Sequence, residues 1–200
     1  MAETIAAMKL KNVVAFAENT DYGIGQAKLL DKFIKEKSPG TRYHYETLDR
    51  ASKDFTPAVL ALRANPPDMV INIMLPPAAY IVMNQLYEQG VAPSAKTWLY
   101  DGAGLADYPD FWQNGKDAGK DMICFALYHP KMSIPPLGRQ VGEEYKKRTG
   151  NEPNRLIFQA ADSLLLIVDA IKQAKSADPK AIEKALTRIR FAGTRGTFSF

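Results

Sequence analysis

A single cysteine, Cys124, rules out an intrachain disulfide, and two histidines, His44 and His129, with no close Cys/His spacing leave no ordinary zinc site. Set inside the apolar run "MICFAL", Cys124 reads as a small buried hydrophobe rather than a nucleophile. Long apolar runs are missing too. The strongest, Leu164 to Val168, is flanked by Asp162, Ser163 and Asp169 and falls far short of the roughly 20 residues that span a bilayer. Nor is charge of one sign concentrated anywhere. The net charge of +4 arises from 26 Lys and Arg against 22 Asp and Glu, interspersed along the chain. The densest cluster, Glu143 to Gly150, mixes signs as a solvated helix end does, which argues against nucleic acid or another polyanion as partner. There are no internal repeats and no low-complexity segment. The opening "MAETIAAMKLKNVV" lacks the charged and apolar regions of a signal peptide, so the expectation is a cytosolic chain, or one that is mature or truncated.

What is present is an ordinary globular balance, 46% hydrophobic and 24% charged, arranged as apolar runs alternating with amphipathic segments. "VVAFA" (Val13 to Ala17) reads as a strand buried on both faces, because nothing in it alternates. The helix after it places Ala27, Leu30, Phe33 and Ile34 on one face and stops at Pro39 and Gly40. "RYHYETL" (Arg42 to Leu48) alternates and suits a strand near the sheet edge, and a short helix follows, starting between Asp54 and Pro57 and ending before Pro66. Further strands are expected at Met69 to Leu75, Lys96 to Tyr100 and Met122 to Leu127, with a helix from the Pro76–Pro77 pair to Gly90 and a loop-rich stretch from Asp101 to Asp121. Right-handed crossovers then give an α/β lobe, a doubly wound, mostly parallel sheet with helices on both faces, over residues 8–128. Beyond Tyr128 the pattern changes to three helices, Leu137 to Thr149, Asn154 to about Lys175 and Pro179 to Arg190. The middle one is apolar around most of its circumference and calls for partners on more than one side. The last residues, with Phe198 and Phe200 alternating with Thr197 and Ser199, read as a strand just begun.

The turn "TDYGIG" carries the functional question. A dinucleotide loop needs a third glycine where Lys28 stands, although Asp49 lies at the distance of a ribose-binding acid and keeps a Rossmann-like enzyme open as an alternative. A nucleophile elbow needs Ser or Cys where Tyr22 stands. Asp101, Asp107 and Asp110 pair with no nucleophile and read as surface or capping residues, so neither a catalytic residue nor a cofactor is assigned and the chain is not read as an enzyme. What remains is a turn at the carboxyl end of the first strand, where open α/β sheets receive ligands. Tyr22 either offers its ring and hydroxyl there or packs locally over the helix start.

Taken in order, "KNVVAFAENTDYGIGQA", "DFTPAVLALRANPPDMVINI", "QLYEQGV" leading to "TWLYDGAGLAD", "EYKKRTGNEPNRLIFQAADSLLLIVDAI", "DPKAIEKAL" and "FAGTRGTFSF" resemble the periplasmic substrate-binding proteins of branched-chain amino-acid-type ABC transporters, which have the type I two-lobed fold. The resemblance covers nearly the whole chain. It implies that residues 8–128 form the second ligand-binding lobe. Residues 131–200 would be helices and a strand completing a first lobe that the chain otherwise lacks. By the same resemblance the site comprises Tyr22 in the first turn, Leu75 and Pro76 after the third strand, where the family commonly has an aromatic, and Asp101 with Gly102 after the fourth. Apolar bulk at Leu75 departs from the pattern for a standard amino-acid ligand. Asp101 either meets a ligand ammonium or caps its own glycine-rich turn. The implied partners are a small amino-acid-like, apolar or aromatic solute and, for a full-length protein, a membrane permease, with a periplasmic location. The alternative of the same fold is a cytosolic ligand-sensing domain. An uncovered helical segment further implies self-association through residues 154–190.

Overall fold

The computed structural model describes residues 1–125 and 127–199. The chain divides into two compact units, Met1–Phe125 and Ala126–Phe200.

In the first unit, helix α1 (Ala2–Ala7) precedes β1 (Asn12–Glu18), α2 (Asp21–Lys37), β2 (Arg42–Leu48), α3 (Thr56–Ala64), β3 (Met69–Ile73), α4 (Ala78–Glu88), β4 (Trp98–Asp101), α5 (Phe111–Gly115) and β5 (Met122–Cys124). The five strands lie in the order β2-β1-β3-β4-β5, and every pairing is parallel. The strand order reverses beside β1, which makes the carboxyl ends of β1 and β3 the switch point of the sheet. The absence of alternation in β1 has its expected cause: from Val13 to Glu18 every residue is buried, while β2, at the edge, alternates along most of its length. Val14, Phe16, Val70, Met74 and Leu99 face Val59, Val82, Met83 and Leu86 of α3 and α4. Val13, Ala15, Met69 and Ile71 face Ile5, Ala27, Leu30 and Ile34 of α1 and α2. Both faces of the sheet are thus covered by helices, as parallel sheets require.

Several elements differ from expectation. Helix α1 was not foreseen; Ala2 and Ile5 are its buried residues. Helix α2 begins at Asp21 and absorbs the turn that holds Tyr22, Gly23 and Gly25, because the Thr20 hydroxyl accepts from the Gly23 N–H and caps the helix. The strand expected over Met122 to Leu127 ends at Cys124, and the residue is exposed rather than buried, since β5 is the outer strand of the sheet. Ala126, within the strand expected over Met122 to Leu127, and Phe200, in the strand expected at the last residues, lie outside the described residues.

The second unit contains α6 (Pro136–Thr149), α7 (Arg155–Ala174) and α8 (Pro179–Leu186), then β6 (Arg190–Ala192) and β7 (Thr197–Ser199), an antiparallel pair where a single strand was expected. The last helix stops at Leu186 instead of Arg190, and Ile189 and Phe191 turn inward onto Ala170 of α7. Helix α7 starts at an Asn154 cap whose carboxamide oxygen accepts from the N–H groups of Leu156 and Ile157. Its outer face remains apolar and exposed, with Leu164, Ile167, Val168 and Ile171 in solvent. Among the described residues no helix is long and apolar enough to cross a membrane.

Candidate functional site

Five residues were singled out from the sequence, and the fold brings all of them to the carboxyl ends of three neighbouring strands. Tyr22 stands in the first turn of α2, just past β1, and is 37% exposed. Leu75 and Pro76, half-buried, follow β3. Asp101 is the last residue of β4, and Gly102 is next, its N–H donating to the Asn72 carbonyl at 2.9 Å. The strand register sets Ala17 beside Ile73 and Asn72 beside Asp101, so the three segments leave the sheet at nearly the same height.

A residue missed at the sequence level ties this rim together. Glu18 ends β1 and is 1% exposed. Its Oε1 accepts from the Thr20 hydroxyl at 2.7 Å, and its Oε2 accepts from the Leu75 N–H at 2.8 Å. The Arg50 guanidinium lies 3.7 Å from Oε1 and offsets the buried charge. One carboxylate therefore joins the cap of the Tyr22 helix to the segment after β3. Close approach makes Gly23 part of the same clasp, for a Cβ there would sit 2.3 Å from the Glu18 carbonyl oxygen. The only sequence signal for Glu18 was a charge closing an otherwise apolar strand.

Asp101 is fully buried. Its Oδ1 accepts from the N–H groups of Ala103 (3.0 Å) and Gly104 (2.8 Å), and its Oδ2 from Ala106 (3.2 Å). The carboxylate thus winds the loop after β4 around itself. Gly102 fits only without a side chain, because a Cβ would meet Ile73 Cγ1 at 2.9 Å and the Asn72 carbonyl oxygen at 3.0 Å. The Leu75 carbonyl accepts from the Ala79 N–H, and the Pro77 carbonyl from Tyr80 and Ile81, so the segment after β3 runs directly into the backbone ladder of α4.

Two titrating groups border the rim. Cys124 pairs in register with Asp101; although it is exposed as a residue, desolvation of its thiol raises the pKa, and the charges of Asp101 and Asp107 raise it further. Burial likewise raises the Tyr80 phenol well above its ordinary range, reinforced by its hydrogen bond to Asp110 at 3.0 Å. Among the described residues no group of three or more His, Cys, Asp or Glu side chains could hold a metal ion. An apolar groove of about 440 Å³ lies elsewhere, between α7 and α8, lined by Leu166, Ile167 and Leu186 with Ser163, Glu183 and Thr187 at its margins.

A model of the periplasmic binding protein family matches residues 1–200. No curated protein matches significantly. Among solved structures, the chain is similar to the leucine-binding protein LivK of Thermotoga maritima MSB8, with 24% identity and a TM-score of 0.81 over 100% of this chain and 57% of that one. It is similar to the branched-chain amino-acid transporter substrate-binding protein LivJ of Streptococcus pneumoniae in complex with isoleucine, with 20% identity and a TM-score of 0.78 over 99% and 55%. A third is an ABC-transporter solute-binding protein of Rhodopseudomonas palustris BisB5 in complex with 3,4-dihydroxybenzoic acid, with 19% identity and a TM-score of 0.77 over 99% and 54%. The chain spans little more than half the length of each of these proteins, and at these identities the likeness shows the fold.

Proposed function

Because this chain belongs to the periplasmic binding protein family, we propose that it supplies one wall of a solute-capturing cleft in the periplasm, and that the captured solute passes to a membrane permease. Binding, not chemistry, is the task in this reading. A solute settles against the rim of the first unit, a second lobe closes over it, and the closed form is what the transporter recognises. The observation that carries the reading is the Glu18 clasp, which holds the Tyr22 helix and the Leu75–Pro76 segment together at the switch point of a parallel sheet. We place Tyr22, Leu75, Pro76 and Gly102 on the wall, with Asp101 setting the loop that follows. The complexes with isoleucine and 3,4-dihydroxybenzoic acid support a small apolar or aromatic solute. Residues 131–200 belong, on this reading, with the opposing lobe, and the exposed face of α7 pairs with a second copy of the chain.

One wall encloses a solute only partly. Losing the other removes apolar contact and polar partners, so affinity is expected to be at least a hundredfold, about 2.7 kcal/mol, below that of a closed cleft. Calorimetry of the 200-residue chain with leucine, isoleucine, benzoate and 3,4-dihydroxybenzoate should find nothing tighter than the high micromolar range. Chemical shifts induced by saturating ligand should gather at Tyr22, Leu75 and Gly102. Nanomolar binding would contradict the half-site, and shifts confined to residues 127–199 would remove the site from this rim.

A further inference from the structure

The buried acids of the rim are turned inward onto the protein itself. Glu18 and Asp101, the acids that end β1 and β4, are buried, and each carboxylate oxygen has a protein donor. Asp49 accepts from the Asn19 carboxamide and the Ala51 N–H, and Asp110 from the Tyr80 hydroxyl and the Asn114 carboxamide. Asp107 has an interaction of its own. Asp21 stands in solvent in the first turn of α2, where the helix end itself attracts its charge, and an ion pair at so exposed a place contributes at most about 1 kcal/mol. The cation beside the clasp is Arg50. Backbone donors are committed as well: the N–H of Leu75 to Glu18, of Gly102 to Asn72, and of Ala103 and Gly104 to Asp101, while Pro76 and Pro77 have none.

We propose that the solute presents to this wall an apolar or aromatic body with no ammonium group beside it, so that solutes lacking an α-amino group are preferred over the corresponding amino acids. The inference rests on the wall proposed above and narrows its substrate class. An ammonium brought to this rim cannot reach the carboxylates of Glu18 and Asp101, which are 1% and 0% exposed, and drawing Asp101 toward it would leave the buried N–H of Gly104 and the part-buried N–H groups of Ala103 and Ala106 without their acceptor. A desolvated cation without a partner is costly, whereas a hydrocarbon body beside Leu75 and Pro76 is not.

The test uses pairs that differ only by that group: L-leucine against 4-methylpentanoate, and L-phenylalanine against 3-phenylpropanoate, titrated into the 200-residue chain by saturation-transfer NMR. Salt of about 0.3 M screens the long-range attraction of a chain of net charge +4 for anions. The des-amino acid of each pair should bind about threefold or more tightly, a modest ratio because an open wall leaves part of the ammonium in water. Tyr22→Ala should remove the preference along with the signal. Equal or tighter binding of the amino acids, still lost in Tyr22→Ala, would overturn the inference and leave the wall standing. Binding of either class that ignores Tyr22→Ala, or no signal from any of the four, would overturn the wall and the inference with it.

Discussion

The two units of this chain solve the burial problem to different degrees. In the first, β1 and β3 are interior strands, and helices on both faces leave Phe16, Met69, Ile71 and Met83 with no exposed surface. In the second, the buried apolar cluster consists of Ala170, Ile189 and Phe191 with partly covered neighbours, while Leu164 on the other side of α7 is 67% exposed. A parallel sheet with its crossover helices is closed on both faces by its own connectivity. A long helix with apolar residues around its circumference is closed only by whatever packs on each side. The comparison separates a unit that carries its own core from one whose longest helix shows an apolar face to solvent.

Phe16→Ala should sharpen this contrast most. The side chain sits in the middle of β1 within the larger core, so its removal is expected to cost about 3–5 kcal/mol, read as a lower denaturation midpoint for the first unit. A loss below 1 kcal/mol would mean that the sheet is not the closed core described here.

The same contrast marks what could be read from sequence. Strand β2 was legible to the residue because one face of an edge strand meets solvent and leaves a period of two, and β1 was legible because that period is missing. The start of α2 was misread because glycines in "TDYGIG" signal a turn by propensity, whereas Gly23 is required by contact with the Glu18 backbone, a fact of packing. Cys124 was misplaced for a related reason: an apolar run does not reveal that its strand is the last in the sheet. The rim itself was legible as the carboxyl ends of strands. Its clasp was not, since Glu18 and Leu75 lie 57 positions apart and nothing local pairs them.

A middle-sized effect is expected in the second unit, where a buried polar contact does work that a core does elsewhere. Asp162 of α7 is 6% exposed; its Oδ1 accepts from the Thr194 N–H at 2.6 Å and its Oδ2 from the Thr194 hydroxyl at 2.9 Å, with Arg195 Nε at 3.4 Å. This pins the β6–β7 hairpin to the helix, and Gly193 allows the approach, because a Cβ there would meet Asp162 Oδ1 at 2.7 Å. Asp162→Ala leaves a buried N–H and a part-buried guanidinium without acceptors, so a loss of about 1–3 kcal/mol is expected, with the Thr194 amide exchanging faster than those of α7. Unchanged protection at Thr194 would show that the hairpin is held by Phe191 and Phe198 alone.

The smallest expected effect on stability falls at the most exposed apolar position. Leu164→Gln removes a side chain that folding barely covers and keeps a good helix former, so the unfolding midpoint should move by no more than about 0.5 kcal/mol. Its effect on association is expected to be large by comparison. Leu164 shares the outer face of α7 with Ile167, Val168 and Ile171, and an apolar surface of that kind draws partners to itself. If a second copy covers it, light scattering at tens of micromolar should show the parent chain above monomer mass, and the double variant Leu164→Gln with Ile167→Gln closer to it. A parent chain that stays monomeric would remove the second copy as the cover for this face. A double variant that unfolds with the same loss as Phe16→Ala would show that the face is already buried, and the distinction between the two units would fall.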